Sequence, residues 1–143
     1  MKHSTFKPLG LAAALSGVLF LVMPVGVVIA AESAEKTVIP GTSAAILQAI
    51  DVKSAQLKAT IESGKLDDVH HQAFAIRDLV AALPAKSASL PVDKLAKLNG
   101  EVKFVATLAE RLDATGDAKD LAGTKLNYAK LSTVLTSVRS NYP

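Results

Sequence analysis

His70-His71 is the most conspicuous chemistry-bearing pair in this sequence, and Asp67 stands three residues before one ring and four before the other. On a helix those are the spacings at which side chains meet. A carboxylate beside an imidazole orients the ring for metal ligation, so Asp67, His70 and His71 are candidate ligands for a divalent metal ion. The set is incomplete. Residues advance by about 100° each around a helix, so adjacent rings are expected to diverge, and a carboxylate with one imidazole is half a zinc site. The rest would have to come from an acidic residue on another helix or from a second chain. The favoured reading is plainer: His70 at the edge of the core making a structural hydrogen bond, His71 exposed, and no cofactor.

Arg77 falls one heptad after His70, with Phe74 between them. His70, Phe74 and Arg77 could line a shallow groove for an anionic or aromatic ligand. As boundary residues they would instead leave Arg77 paired with an acidic group on a neighbouring helix, its stem laid on apolar surface. Asn127 and Tyr128 read as core packing, with the phenol hydroxyl needing a partner. Asp113, Asp117 and Asp120 supply too few oxygens for a calcium loop.

Other chemistries fail on inventory. The chain has no Cys and no Trp, and Met1 and Met23 both precede residue 31. Disulfides, thiolate catalysis, Cys-ligated zinc, iron–sulfur clusters and methionine-bound copper are thereby excluded from the part that follows. No glycine-rich phosphate loop and no Ser-His-Asp set can be assembled, and haem lacks both a Cys-x-x-Cys-His attachment and an axial methionine. The expectation is a protein that is not an enzyme. The sequence pI of about 9.2 overstates its basic character. Lys2 and Lys7 lie in the leading segment while all 13 acidic residues lie beyond residue 31, so the remainder is close to neutral and nucleic acid is not an expected partner.

The elements that must position these residues are helical. Residues 1–31 have the order of a signal peptide: Lys2 and Lys7, an apolar run from Leu9, and small residues ending in Val28-Ile29-Ala30-Ala31. An uncleaved anchor is the alternative, and only then would the protein touch the membrane. Either way the domain is expected outside the cytoplasm. Residues 32–42, with Pro40-Gly41, read as a flexible lead-in. Apolar side chains then recur at three- and four-residue steps through four segments, about 43–63, 66–83, 91–114 and 118–141. Thr42 or Ser43 caps the first and Gly64 stops it; Pro84 ends the second; Pro91 opens the third and Gly116 closes it; Asp117 with Asp120 resembles a capping box for the fourth. Short connections make this an all-α, antiparallel, up-down-up-down four-helix bundle, with a core large enough to hold without disulfides.

Two stretches carry a resemblance: Ser63-Gly-Lys-Leu-Asp-Asp-Val-His70-His-Gln-Ala-Phe-Ala-Ile-Arg77-Asp-Leu and Ala109-Glu-Arg-Leu-Asp-Ala-Thr-Gly-Asp-Ala-Lys-Asp120. Over roughly residues 44–143 the sequence resembles uncharacterised small exported helical proteins of Gram-negative bacteria, some of them encoded beside heavy-metal efflux systems. The resemblance singles out His70, with the Gly-Asp turn at 116–117 as a structural marker, and implies a periplasmic, metal-related accessory role. The expected function is therefore a non-enzymatic periplasmic bundle acting through contacts with a protein partner, as an accessory to a transport or stress system. The alternative is a metal- or small-ligand-binding protein centred on His70.

Overall fold

Apolar spacing, caps and stops place the helices close to where the periodicity puts them. The protein is described by a computed structural model covering residues 36–143, so the leader read at 1–31 and the first part of the lead-in lie outside the described residues. Helix α1 is Ser43–Glu62, α2 Val69–Ala82, α3 Val92–Asp117 and α4 Leu121–Ser140. Among the described residues there is no strand, and no helix is long and apolar enough to cross a membrane.

α1 starts where the Thr42 hydroxyl accepts from the Ala45 amide at 3.2 Å, satisfying one of the amides a helix start leaves over. It stops at Gly64, whose φ of 73° lies in the left-handed region. There the Lys65 amide donates to the Thr60 carbonyl and the Gly64 amide to the Ile61 carbonyl, both at 3.1 Å, the paired closure of a Schellman motif. The second segment differs from expectation at its start: Leu66–Asp68 form a tight 3₁₀ turn, and the α-helix begins at Val69. Pro84, which has no amide hydrogen, ends it in a second 3₁₀ turn, Pro84–Lys86. Pro91 occupies the cap just before α3 rather than its first turn.

The α3–α4 junction departs from the spacing-based expectation. Gly116 does not close the third helix; α3 runs on to Asp117 with Gly116 buried inside it. The residue that turns left-handed is Lys119, at φ 56°. Asp120 donates its amide to the Thr115 carbonyl and Lys119 its own to the Gly116 carbonyl, both at 2.9 Å, a second Schellman motif with lysine where glycine is usual. The cap of α4 is Asp120, not Asp117: its Oδ1 accepts from the Gly123 amide at 2.9 Å, so α4 starts at Leu121.

Lys119 holds a conformation that costs an L-residue about 1–2 kcal/mol. Its ammonium meets the exposed Asp67 carboxylate, a surface pair worth about 0–1 kcal/mol. Backbone strain outweighs the ion pair, so Lys119→Gly is expected to stabilise the fold by about 0.5–1 kcal/mol despite losing that contact. A urea midpoint that falls, or stays put, would contradict this.

The core follows the expected stripes. Leu47, Ile50, Leu57 and Ile61 of α1 meet Val69, Ala73, Ile76 and Val80 of α2, Leu98, Val105, Ala109 and Leu112 of α3, and Leu131 and Val138 of α4. α4 is tied to both neighbours in reverse chain order. Toward α3, Asn127 Nδ2 donates to the Arg111 carbonyl at 3.3 Å and Asn141 Nδ2 to Glu101 at 2.6 Å. Toward α1, the Tyr128 hydroxyl donates to the Ser54 carbonyl at 3.3 Å, and Arg139 pairs with Asp51. The α1–α4 seam is looser than those of α1 with α2, α2 with α3 and α3 with α4. A polar groove of about 220 Å³ runs along it, lined by Asp51, Ser54, Ser132, Leu135, Thr136 and Arg139.

Candidate functional site

The 3₁₀ turn before α2 delivers Asp67 and His70 to one end of the bundle. His70, half-buried, places Nδ1 3.0 Å from the Asp67 main-chain carbonyl. A carbonyl only accepts, so Nδ1 is the donor in this bond. Asp67 thus orients His70 through its backbone, while its carboxylate goes to Lys119 across the turn. The expected divergence of the two rings is wrong: the His70 and His71 centroids lie 3.7 Å apart, tilted by 42°. The backbone directions do separate, but each side chain has two torsions with which to swing back toward its neighbour. Among the described residues no group of three or more His, Asp or Glu side chains is placed to hold a metal ion.

Arg77 also departs from expectation. Its partner is not on a neighbouring helix but next in sequence: Nε donates to Asp78 Oδ1 at 2.9 Å, and a second guanidinium nitrogen lies 2.8 Å from the same oxygen. The guanidinium lies over Phe74, 4.5 Å from the ring centroid, in a cation–π contact. Asp78 in turn accepts from the Thr37 hydroxyl at 3.2 Å, which ties the lead-in to α2. The aromatic face and the cation that a ligand would use are therefore turned toward each other. His70, Phe74 and Arg77 share one side of α2, but the last two complete each other.

The most heavily buried polar cluster is one that sequence reasoning missed. Glu101, 7 % exposed, lies on the core side of α3 between Leu98 and Val105. It accepts from Asn141 and from the Ser137 hydroxyl, and Lys97 Nζ lies 3.6 Å from Oε1. Lys97 also donates to Ser140 at 3.3 Å. Close by in sequence, Tyr142 meets Ser87 hydroxyl to hydroxyl at 2.7 Å, which fastens the α2–α3 loop to the end of α4. A signal was available: a glutamate three residues after one core leucine and four before a core valine sits on the apolar stripe and must bring partners with it. Asn127 and Tyr128 are placed as expected, at the core with their polar atoms bonded to Arg111 and Ser54.

These features define an all-α four-helix protein. No protein-family model matches the chain, and the comparisons with curated proteins and with solved structures found no match.

Proposed function

We propose that this chain is an exported, periplasmic, up-down-up-down four-helix bundle that acts through contacts with another protein and catalyses no reaction. The observation that carries the reading is where its large apolar side chains are. Beyond residue 31 the chain has four aromatic residues, and Phe104 stands 65 % exposed on α3. Leu126 on α4 is 58 % exposed and Val52 on α1 56 %. A phenylalanine carries about 150–250 Å² of surface that folding normally hides, and exposed clusters of such side chains mark interaction sites. The chemistry-bearing groups point the same way, since Asp67, Arg77 and Arg139 each engage a charge of this same chain. The reverse-order contacts of α4 with α3 and α1, and the short connections, support the antiparallel topology.

Export rests on the leader read at residues 1–31, and the resemblance to exported proteins encoded beside heavy-metal efflux systems supports an accessory role in transport or stress. That resemblance also keeps the alternative of a divalent-metal or small-ligand protein centred on His70. It has less support, because the Asp67 carboxylate that would complete His70 and His71 is engaged by Lys119.

The test uses the full chain expressed in a Gram-negative host with a photo-crosslinking residue at Phe104 or Val52. The expected result is a periplasmic product, with a mass showing cleavage after Ala30 or Ala31, and discrete adducts to one protein. Cytoplasmic retention, or no adduct from either position, overturns the reading. Zinc, copper and nickel titrations of the same product, beside His70→Ala, address the alternative: a melting shift lost in the variant would install it.

A further inference from the structure

Phe104 and Leu126 are not scattered singly. The pairs Arg111–Asn127 and Glu101–Asn141 fix the register of α3 against α4. In that register, steps of about 100° per residue place Phe104 and Leu126 on the outward rims of the same groove, about two helical turns apart, or ~11–12 Å. Arg111 and Lys130, both exposed, rise from the rims between them. The charges of α3 are sorted around its axis. Glu110, Asp113 and Asp117 fall on the side turned away from α4, and Glu101 is buried. α4 carries Lys125, Lys130 and Arg139 and no acidic residue within Leu121–Ser140. Among the described residues, apart from the buried Glu101 in the seam beneath, the acidic side chains nearest the groove lie at its ends: Asp93 in the first turn of α3, and Asp120, occupied as the cap of α4.

We propose that this outward α3–α4 groove, with apolar rims at Phe104 and Leu126 and cations at Arg111 and Lys130, seats an acidic amphipathic helix of a partner protein. The inference rests on the protein-contact reading above and names the face and the partner's chemistry. A helix laid along the groove presents apolar residues at positions i and i+7, spaced by two turns like the two rims, and acidic residues beside them meet the cations. A second copy fits poorly, because two-fold pairing sets each cation-bearing rim against its own duplicate. Electrostatic complementarity selects the acidic partner.

The test uses processed protein from the full-chain expression and three synthetic helical peptides of about 20 residues. All carry leucines at i, i+4, i+7 and i+11 and differ only in flanking Glu, Gln or Lys. By fluorescence anisotropy the Glu peptide should bind most tightly and the Lys peptide least, with affinity falling as salt rises. Phe104→Ser and Leu126→Ser should each weaken the Glu peptide by about tenfold. Arg111→Glu with Lys130→Glu should reverse the order of the peptides; melting curves check that these surface variants stay folded. Equal binding of the three peptides, no binding at all, Phe104-dependent pelleting with phosphatidylglycerol vesicles in place of peptide binding, or a dimer that Phe104→Ser dissociates would each overturn the proposal. Such a failure leaves the wider reading in place if crosslinks persist from Val52 in cells, and takes both down if none form.

Discussion

Replacing Glu101 by alanine is expected to lower the unfolding free energy by about 2–4 kcal/mol, although the substitution removes a buried charge and improves helix propensity. The loss lies with the partners. Asn141 is 1 % exposed and donates to Glu101 at 2.6 Å, so truncation strands its amide away from water. Ser137 loses its acceptor as well, and a cavity opens beside Leu98 and Val105. An unmet buried donor costs about 1–3 kcal/mol, and hydrogen bonds to a charged acceptor are the stronger kind. Lys97, half-exposed, recovers water and adds little. Glu101→Gln should fall between the two, since one amide oxygen cannot replace two carboxylate oxygens. Urea denaturation of the three proteins reads the order directly. An alanine variant within about 0.5 kcal/mol of the parent would mean that Asn141 and Ser137 find water as readily as they find Glu101.

A valine at Gly116 is expected to cost about 3 kcal/mol or more, and alanine about 1 kcal/mol net. A Cβ built there falls 2.9 Å from the Leu66 carbonyl oxygen and 3.3 Å from Val69 Cβ. Neither neighbour can swing aside, because one belongs to the backbone and the other is the root of a β-branched side chain. Helix propensity opposes the clash, as alanine gains about 1 kcal/mol over glycine inside a helix, but the clash costs more than that gain. Gly100 supplies the control. It lies in the same helix with nothing within 4 Å of its added Cβ, so Gly100→Ala should stabilise by about 0.5–1 kcal/mol. Opposite shifts in melting temperature for the two alanines are the expected result. Like signs would show that α3 does not press on the turn before α2.

Much of the fold was legible because burial imposes a period. Leu66, Val69, Ala73, Ile76, Val80 and Leu83 all read as core from spacing alone, and all are buried. Thr42 and Gly64 were legible because cap and stop are local chemistry. Gly116 was not, since Thr-Gly-Asp carries the same local marks as a stop, and what holds this glycine inside the helix is the distant Leu66 carbonyl pressed against it. Lys119 took the left-handed position for the same reason, displaced along the chain. The partner of Arg77 was not legible because a flexible side chain chooses among charges by three-dimensional reach, and Asp78 was nearest. Glu101 was hidden by its charge, which marks the surface in most contexts, whereas here its position on the stripe outweighed its type.

The polar groove between α1 and α4 has a consequence for how the molecule breathes. The other lateral contacts are sealed by buried apolar chains and, between α3 and α4, by buried polar bonds to Glu101 and the Arg111 carbonyl. This one is closed by an ion pair and a few hydroxyls, with open space beside them. The barrel is thus a rolled strip with one basted edge, and the first helix can lift from the last while its grip on the second holds. Ionic strength acts on that edge through its exposed ion pair.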